Sequence, residues 1–138
     1  MMILVDTPVW SLALRRRTAD LSGADRKIAQ SLQELVREGR AQLLGLVRQE
    51  ILSGIRDEAQ FSRIQDHLRG FADIALVVED FEEAAAISNK CRRSGVASSA
   101  VDMLICSVSL RQGWPIFSTD RDFTHYRKVL PIELFPKL

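Results

Sequence analysis

The chain has 138 residues, is 46% hydrophobic and 27% charged, and carries a formal net charge of +1. That size suits one domain with a core large enough to stand without staples, and the composition is ordinary for a soluble globular protein. No apolar run approaches the length of a membrane span. The near-neutral charge neither demands nor excludes a nucleic-acid partner, because local clusters decide that. The two cysteines, Cys91 and Cys106, lack metal-ligand spacing and read as small buried thiols.

The opening "MMILVD" is too short and too soon charged for a signal peptide, so a cytoplasmic protein is expected. Residues 2–5 form an apolar run that predicts a buried strand. Thr7-Pro8 suits the cap and first position of a helix reaching about residue 14. "LRRRTADLSG" reads as an exposed connection, after which Ser22 and Asp25 open a helix ended by Gly39. "AQLLG" predicts a second strand and "LVRQEILSGI" a helix; residues 58–68 predict another. "DIALVV" is read as a third strand, residues 81–93 as a strong helix, and Ser98 or Ser99 as the cap of a helix running to residue 111. "PIFS" gives a fourth strand, residues 123–127 a short helix, and "IELF" a fifth strand. Short apolar strands alternating with helices predict a parallel sheet of four to five short strands with helices on both faces, a single domain over residues 1–138. Ligands of such sheets bind beyond the carboxyl ends of the strands.

Carboxylates gather at those ends. Asp6 follows the first strand directly, and Asp120 and Asp122 follow the fourth. Each, taken alone, also reads as a helix cap. Asp102 opens "VDMLICSVSL", a stretch apolar enough to be largely buried, where an isolated carboxylate is costly. A capping box with Ser99, a neighbouring cation, or both together would make it tolerable. Glu50 lies in a helix whose neighbours Ile51, Leu52 and Ile55 are apolar, although a helical glutamate ordinarily faces water. If these acids converge, a hard divalent cation such as Mg²⁺ or Mn²⁺ offsets their repulsion and activates water toward a phosphodiester. His67 and His125 have no obvious orienting partner and read as surface residues, and the chain has no glycine-rich phosphate loop.

The four motifs "ILVDTPVW", "RQEILSG", "VDMLICSVSL" and "FSTDRDF" resemble, in order and spacing, those of the PIN-domain ribonucleases, with the VapC-type toxins as the nearest match. The resemblance covers nearly the whole chain. It implies a PIN-like three-layer α/β/α fold and Mg²⁺- or Mn²⁺-dependent RNA cleavage. It also implies a homodimer and silencing by a small antitoxin. Its acidic residues fall on Asp6, Glu50, Asp102 and Asp120, with Asp6, Asp102 and Asp120 as metal ligands and Asp122 as an added member of the last motif. Two departures stand out. Pro8 occupies a place where the family often has a small hydroxyl residue, leaving Thr7 beside it, and Ser118 stands where Thr is common.

An acidic site needs positive charge around it to meet RNA. The candidates are Arg15 to Arg17, Lys90, Arg92 with Arg93, and above all Arg121 with Arg127 and Lys128; each cluster also reads as a solvated helix face. Trp10 and Trp114 are candidates for base stacking, core packing or a dimer contact. A phosphorelay receiver fits poorly, since it wants an acidic pair after the first strand and a later lysine. A PIN-like RNA-binding or interaction module with a degenerate, inactive site is the alternative reading.

Overall fold

The computed structural model describes residues 1–15 and 18–136. Its sheet has three strands, β1 (Ile3–Val5), β2 (Ala41–Gln42) and β3 (Ile116–Phe117), in the order β2-β1-β3. Both pairings are parallel, with Ile3 opposite Ala41 and Leu4 opposite Ile116. β1 takes the centre because all three of its side chains are apolar and buried, as a strand covered on both faces requires.

Seven α-helices, α1 (Thr7–Arg15), α2 (Gly23–Arg37), α3 (Gly45–Ser53), α4 (Glu58–Leu68), α5 (Val78–Arg93), α6 (Ala100–Gln112) and α7 (Asp122–Tyr126), and a short 3-10 turn over Thr18–Asp20 complete the described chain. Their principal contacts fall into two groups, α1 to α4 among themselves and α5 with α6. The architecture is three-layer α/β/α, as expected. No described helix is long and apolar enough to cross a membrane.

Local chemistry accounts for most boundaries. The Ser22 hydroxyl accepts the Asp25 N–H at the start of α2, and Ser99 accepts the Asp102 N–H at the start of α6. α6 ends at Gly113, whose φ of 71° needs a residue without a Cβ. α1 begins one residue earlier than its Thr7-Pro8 signal indicates. Asp6 takes the capping position, its carboxylate accepting the Thr7 N–H and its carbonyl the Val9 N–H. Trp10 belongs to the core: it is 1% exposed, its indole N–H donates to the Val5 carbonyl, and its ring meets Phe71 edge-on at 5.0 Å. It is closed to base stacking.

The sheet is smaller than expected. "IELF" contributes a single parallel pair, Leu134 with Ile116, and "DIALVV" another, Asp73 with Leu43. The reason for the second lies at Asp80, which is 0% exposed. Its carboxylate accepts the Val77 N–H at 2.9 Å and so starts α5 at Val78, three residues before the expected position. The same carboxylate receives Nε and Nη2 of Arg111 on α6 at 2.5 and 2.8 Å. Burial pushes the Asp80 carboxyl up, but these hydrogen bonds and the guanidinium charge outweigh it and hold the group below its ordinary value. The run of apolar residues is thus drawn into a helix cap instead of a strand.

Candidate functional site

The carboxyl ends of β1 and β3 lie side by side, and the acids that follow them share one edge of the sheet. Asp6 leaves β1 buried, at 6% exposure. Both its oxygens are engaged: Oδ1 accepts the Thr7 N–H at 2.8 Å, and Oδ2 accepts the Ser118 hydroxyl at 2.7 Å. Ser118 in turn accepts the Asp120 N–H at 3.0 Å, so one hydroxyl ties the residue after β1 to the loop after β3. The Asp120 Oδ1 then accepts the Asp122 N–H at 2.9 Å, which folds "TDRD" into a tight turn at the start of α7.

Asp102 enters from the first turn of α6. Ser99 caps its backbone N–H, while its own Oδ2 accepts the Tyr126 hydroxyl of α7 at 2.7 Å. Glu50, on α3, is exposed, and its Oε1 accepts the Thr7 hydroxyl at 3.1 Å. Thr7 therefore serves two acids, Asp6 through its backbone and Glu50 through its side chain.

Carboxylate oxygens of Asp102, Asp120 and Asp122 lie within 4.8 Å of one another. Asp6 is outside this tight group but inside its field. Burial above all pushes the Asp6 carboxyl from 3.8 up to about 6; hydrogen bonds from Ser118 and Thr7 oppose that rise, and the charges of Asp102 and Glu50 add to it. Burial likewise raises Asp102, against the Tyr126 hydrogen bond and with the charge of Asp120. Among the described residues no ion pair engages any of these five acids; the ion pairs formed are Arg40–Glu38, Arg48–Asp73, Arg69–Asp66 and Arg111–Asp80. A donor set of carboxylate oxygens alone, without a compensating side-chain cation and open on one side, fits a hard divalent ion such as Mg²⁺.

The acids singled out in the sequence thus lie along one edge, with Asp102, Asp120 and the added member Asp122 closest together and Asp6 beside them. Arg121, between Asp120 and Asp122, is exposed and makes no ion pair with another described residue. Arg127 and Lys128 are exposed beside it. Arg15 is tied to the α3 terminus through the Gly54 carbonyl, and Arg16 and Arg17 lie outside the described residues. His67 and His125 are exposed, as expected. Tyr126 was missed. Its only sequence signal is an aromatic four residues after Asp122, on the same face of a short helix.

The pattern of the PIN domain family matches residues 3–129. Solved structures that share the fold include three toxin-antitoxin or related complexes. FitAcB from Neisseria gonorrhoeae is 17% identical with a TM-score of 0.75, covering 97% of this chain and 96% of that one. VapBC2 from Rickettsia felis, bound to a DNA fragment from their promoter, is 12% identical with a TM-score of 0.70, covering 97% of each chain. A toxin-antitoxin complex from Klebsiella pneumoniae is 17% identical with a TM-score of 0.66, covering 88% and 89%. The family match takes in all three strands and all five acids of the edge, and the chain belongs to the PIN domain family.

Proposed function

We propose that this chain is a metal-dependent endoribonuclease of the VapC type, the toxin of a toxin–antitoxin pair, with Mg²⁺ or Mn²⁺ as its cofactor. The observation that carries the reading is the convergence of Asp102, Asp120 and Asp122 within 4.8 Å, without a side-chain cation paired to any of them among the described residues. The bound ion supplies a Lewis acid that activates water and steadies charge on the phosphodiester. Asp102, Asp120 and Asp122 hold it. Asp6, buried behind them and fixed by Thr7 and Ser118, adds negative charge without room to move. Glu50, turned by Thr7 at the open side, is assigned the role of taking the proton from the attacking water. Arg121, with Arg127 and Lys128, meets the RNA backbone.

The partner follows from the relatives. Among the structural neighbours are VapBC2 and a toxin-antitoxin complex, which supports a small antitoxin for this chain. The second copy expected of such a toxin is assigned to α5, where Val77, Val78 and Phe81 are 39%, 69% and 52% exposed. That helix carries the exposed Glu79, Glu82 and Glu83 near its start and the exposed Lys90, Arg92 and Arg93 in its last turn. A two-fold axis across α5 sets the acidic end of one copy against the basic end of the other.

The test is a cleavage assay on purified protein with single-stranded RNA. Cleavage that requires Mg²⁺ or Mn²⁺, stops in EDTA and leaves 5′-phosphate and 3′-hydroxyl ends supports the reading. Cleavage that survives EDTA or leaves cyclic phosphates overturns it, and cation binding without cleavage of any RNA favours the inactive binding module.

A further inference from the structure

We propose that Tyr126 is a positioning residue for the acidic cluster: its phenol fixes the Asp102 carboxylate, committing one oxygen to the protein and presenting the other to the cation. The inference rests on the reading of the cluster as a cation site. Tyr126 is 1% exposed, and its ring packs edge-on against Phe123 at 5.4 Å and 85°. Its hydroxyl reaches past the core to Asp102 Oδ2 at 2.7 Å. A buried phenol needs an acceptor, and a backbone carbonyl would serve. Here the acceptor is the one half-buried carboxylate of the group, which comes from another helix.

The neighbourhood explains why Asp102 needs a clamp. Its carboxylate faces the like charges of Asp120 and Asp122, and repulsion favours any rotamer that swings it away. Its helix fixes the backbone but leaves both side-chain torsions free. The phenol removes that freedom. α7 is five residues long, so the Asp122 at its start and the Tyr126 at its end move as one body. One short helix therefore supplies a member of the cluster and aligns another. Partners of this kind around a ligating carboxylate set metal affinity as well as geometry.

Tyr126 is the only tyrosine of the chain, so tyrosine labelled at ¹³Cζ gives a single resonance. The experiment uses the full metal-stripped chain, wild type and Tyr126→Phe, with Mn²⁺ and Mg²⁺ affinities measured by calorimetry and folding checked by circular dichroism. Tyr126→Phe keeps the ring and is expected to bind either ion about 10-fold or more weakly. In the wild type the tyrosine resonance is expected to move with added Mg²⁺ and to saturate at the calorimetric Kd. A folded Tyr126→Phe protein with wild-type affinity overturns the positioning role while leaving the cation site standing. A wild type that binds neither ion removes the cation reading itself, and this inference with it. If Tyr126→Phe fails to fold, the wild-type resonance decides: movement with Mg²⁺ supports the role, and a resonance unmoved while calorimetry records binding overturns it.

Discussion

Replacing Asp6 by Asn separates the electrostatics of the edge from its packing. Asn is nearly the shape of the carboxyl it replaces: its carbonyl still accepts the Thr7 N–H, and the Ser118 hydroxyl rotates to accept in place of donating. What changes is the charge. Burial and the neighbouring acids raise Asp6 from 3.8 to about 6, so between those values the native state holds a proton that the unfolded chain has released. Stability therefore falls as pH rises through this window, and the loss is complete above it. Carried over the full interval, it amounts to about 3 kcal/mol. Without metal, Asp6→Asn is expected to match the wild type near pH 4 and to exceed it by up to about 3 kcal/mol near pH 7.5. Urea unfolding of both proteins, stripped of metal, across that range reads the difference directly. Saturating Mg²⁺ should narrow it at neutral pH, because the cation stabilises only a fully charged edge. A difference between the two proteins that stays constant with pH would refute the reasoning, since it would mean that Asp6 ionises in the native state as freely as in the unfolded chain.

The other predictions are smaller in scope. Asp122→Asn should leave the melting temperature in EDTA unchanged or raised, through relief of repulsion, yet lose most of the stabilisation that Mg²⁺ gives the wild type; an equal drop in both buffers would identify Asp122 as a helix cap only. Arg111→Ala should lower stability in urea unfolding, because it takes the guanidinium from the buried Asp80 carboxylate, and Asp80→Asn in the same chain should recover part of the loss. If the proposed homodimer forms through α5, Phe81→Asp should leave the protein a monomer in sedimentation without lowering its melting temperature; a dimer that persists would move the interface off α5.

The sequence made the acids legible because each sits at a position that chemistry marks. Asp6 and Asp120 follow apolar strands, Asp102 stands three residues after a capping serine, and Glu50 lies among apolar neighbours. The bounds of α4 were legible for the same reason, since Asp57 accepts the Gln60 N–H and the apolar residues keep a helical period. Residues 73–78 were not. A β-branched apolar run reads as a buried strand, but here its last residues are exposed, and Asp80 turns them into a helix start through a bond to Arg111, 31 positions away. Such pairings leave no periodicity behind. The grouping of the acids was equally hidden: local pattern tells which residues reach the edge, whereas the turn from Asp120 to Asp122 and the reach of Tyr126 decide which oxygens meet.

The Ser118–Asp6 hydrogen bond joins residues 112 positions apart. The contact can form only when the strands that carry both residues are present and paired. β1 is made first yet sits in the middle of the sheet, and it must wait for β3 before its inner edge is paired. During synthesis, a chain that stops short of residue 116 holds Asp6, Glu50 and Asp102 but neither the turn that carries Asp120 and Asp122 nor the phenol that grips Asp102. The order of the polypeptide thus acts as a timer. The acidic edge comes into being only once synthesis has passed Tyr126, and a fragment released earlier carries the first carboxylates of the edge without the turn and phenol that arrange them.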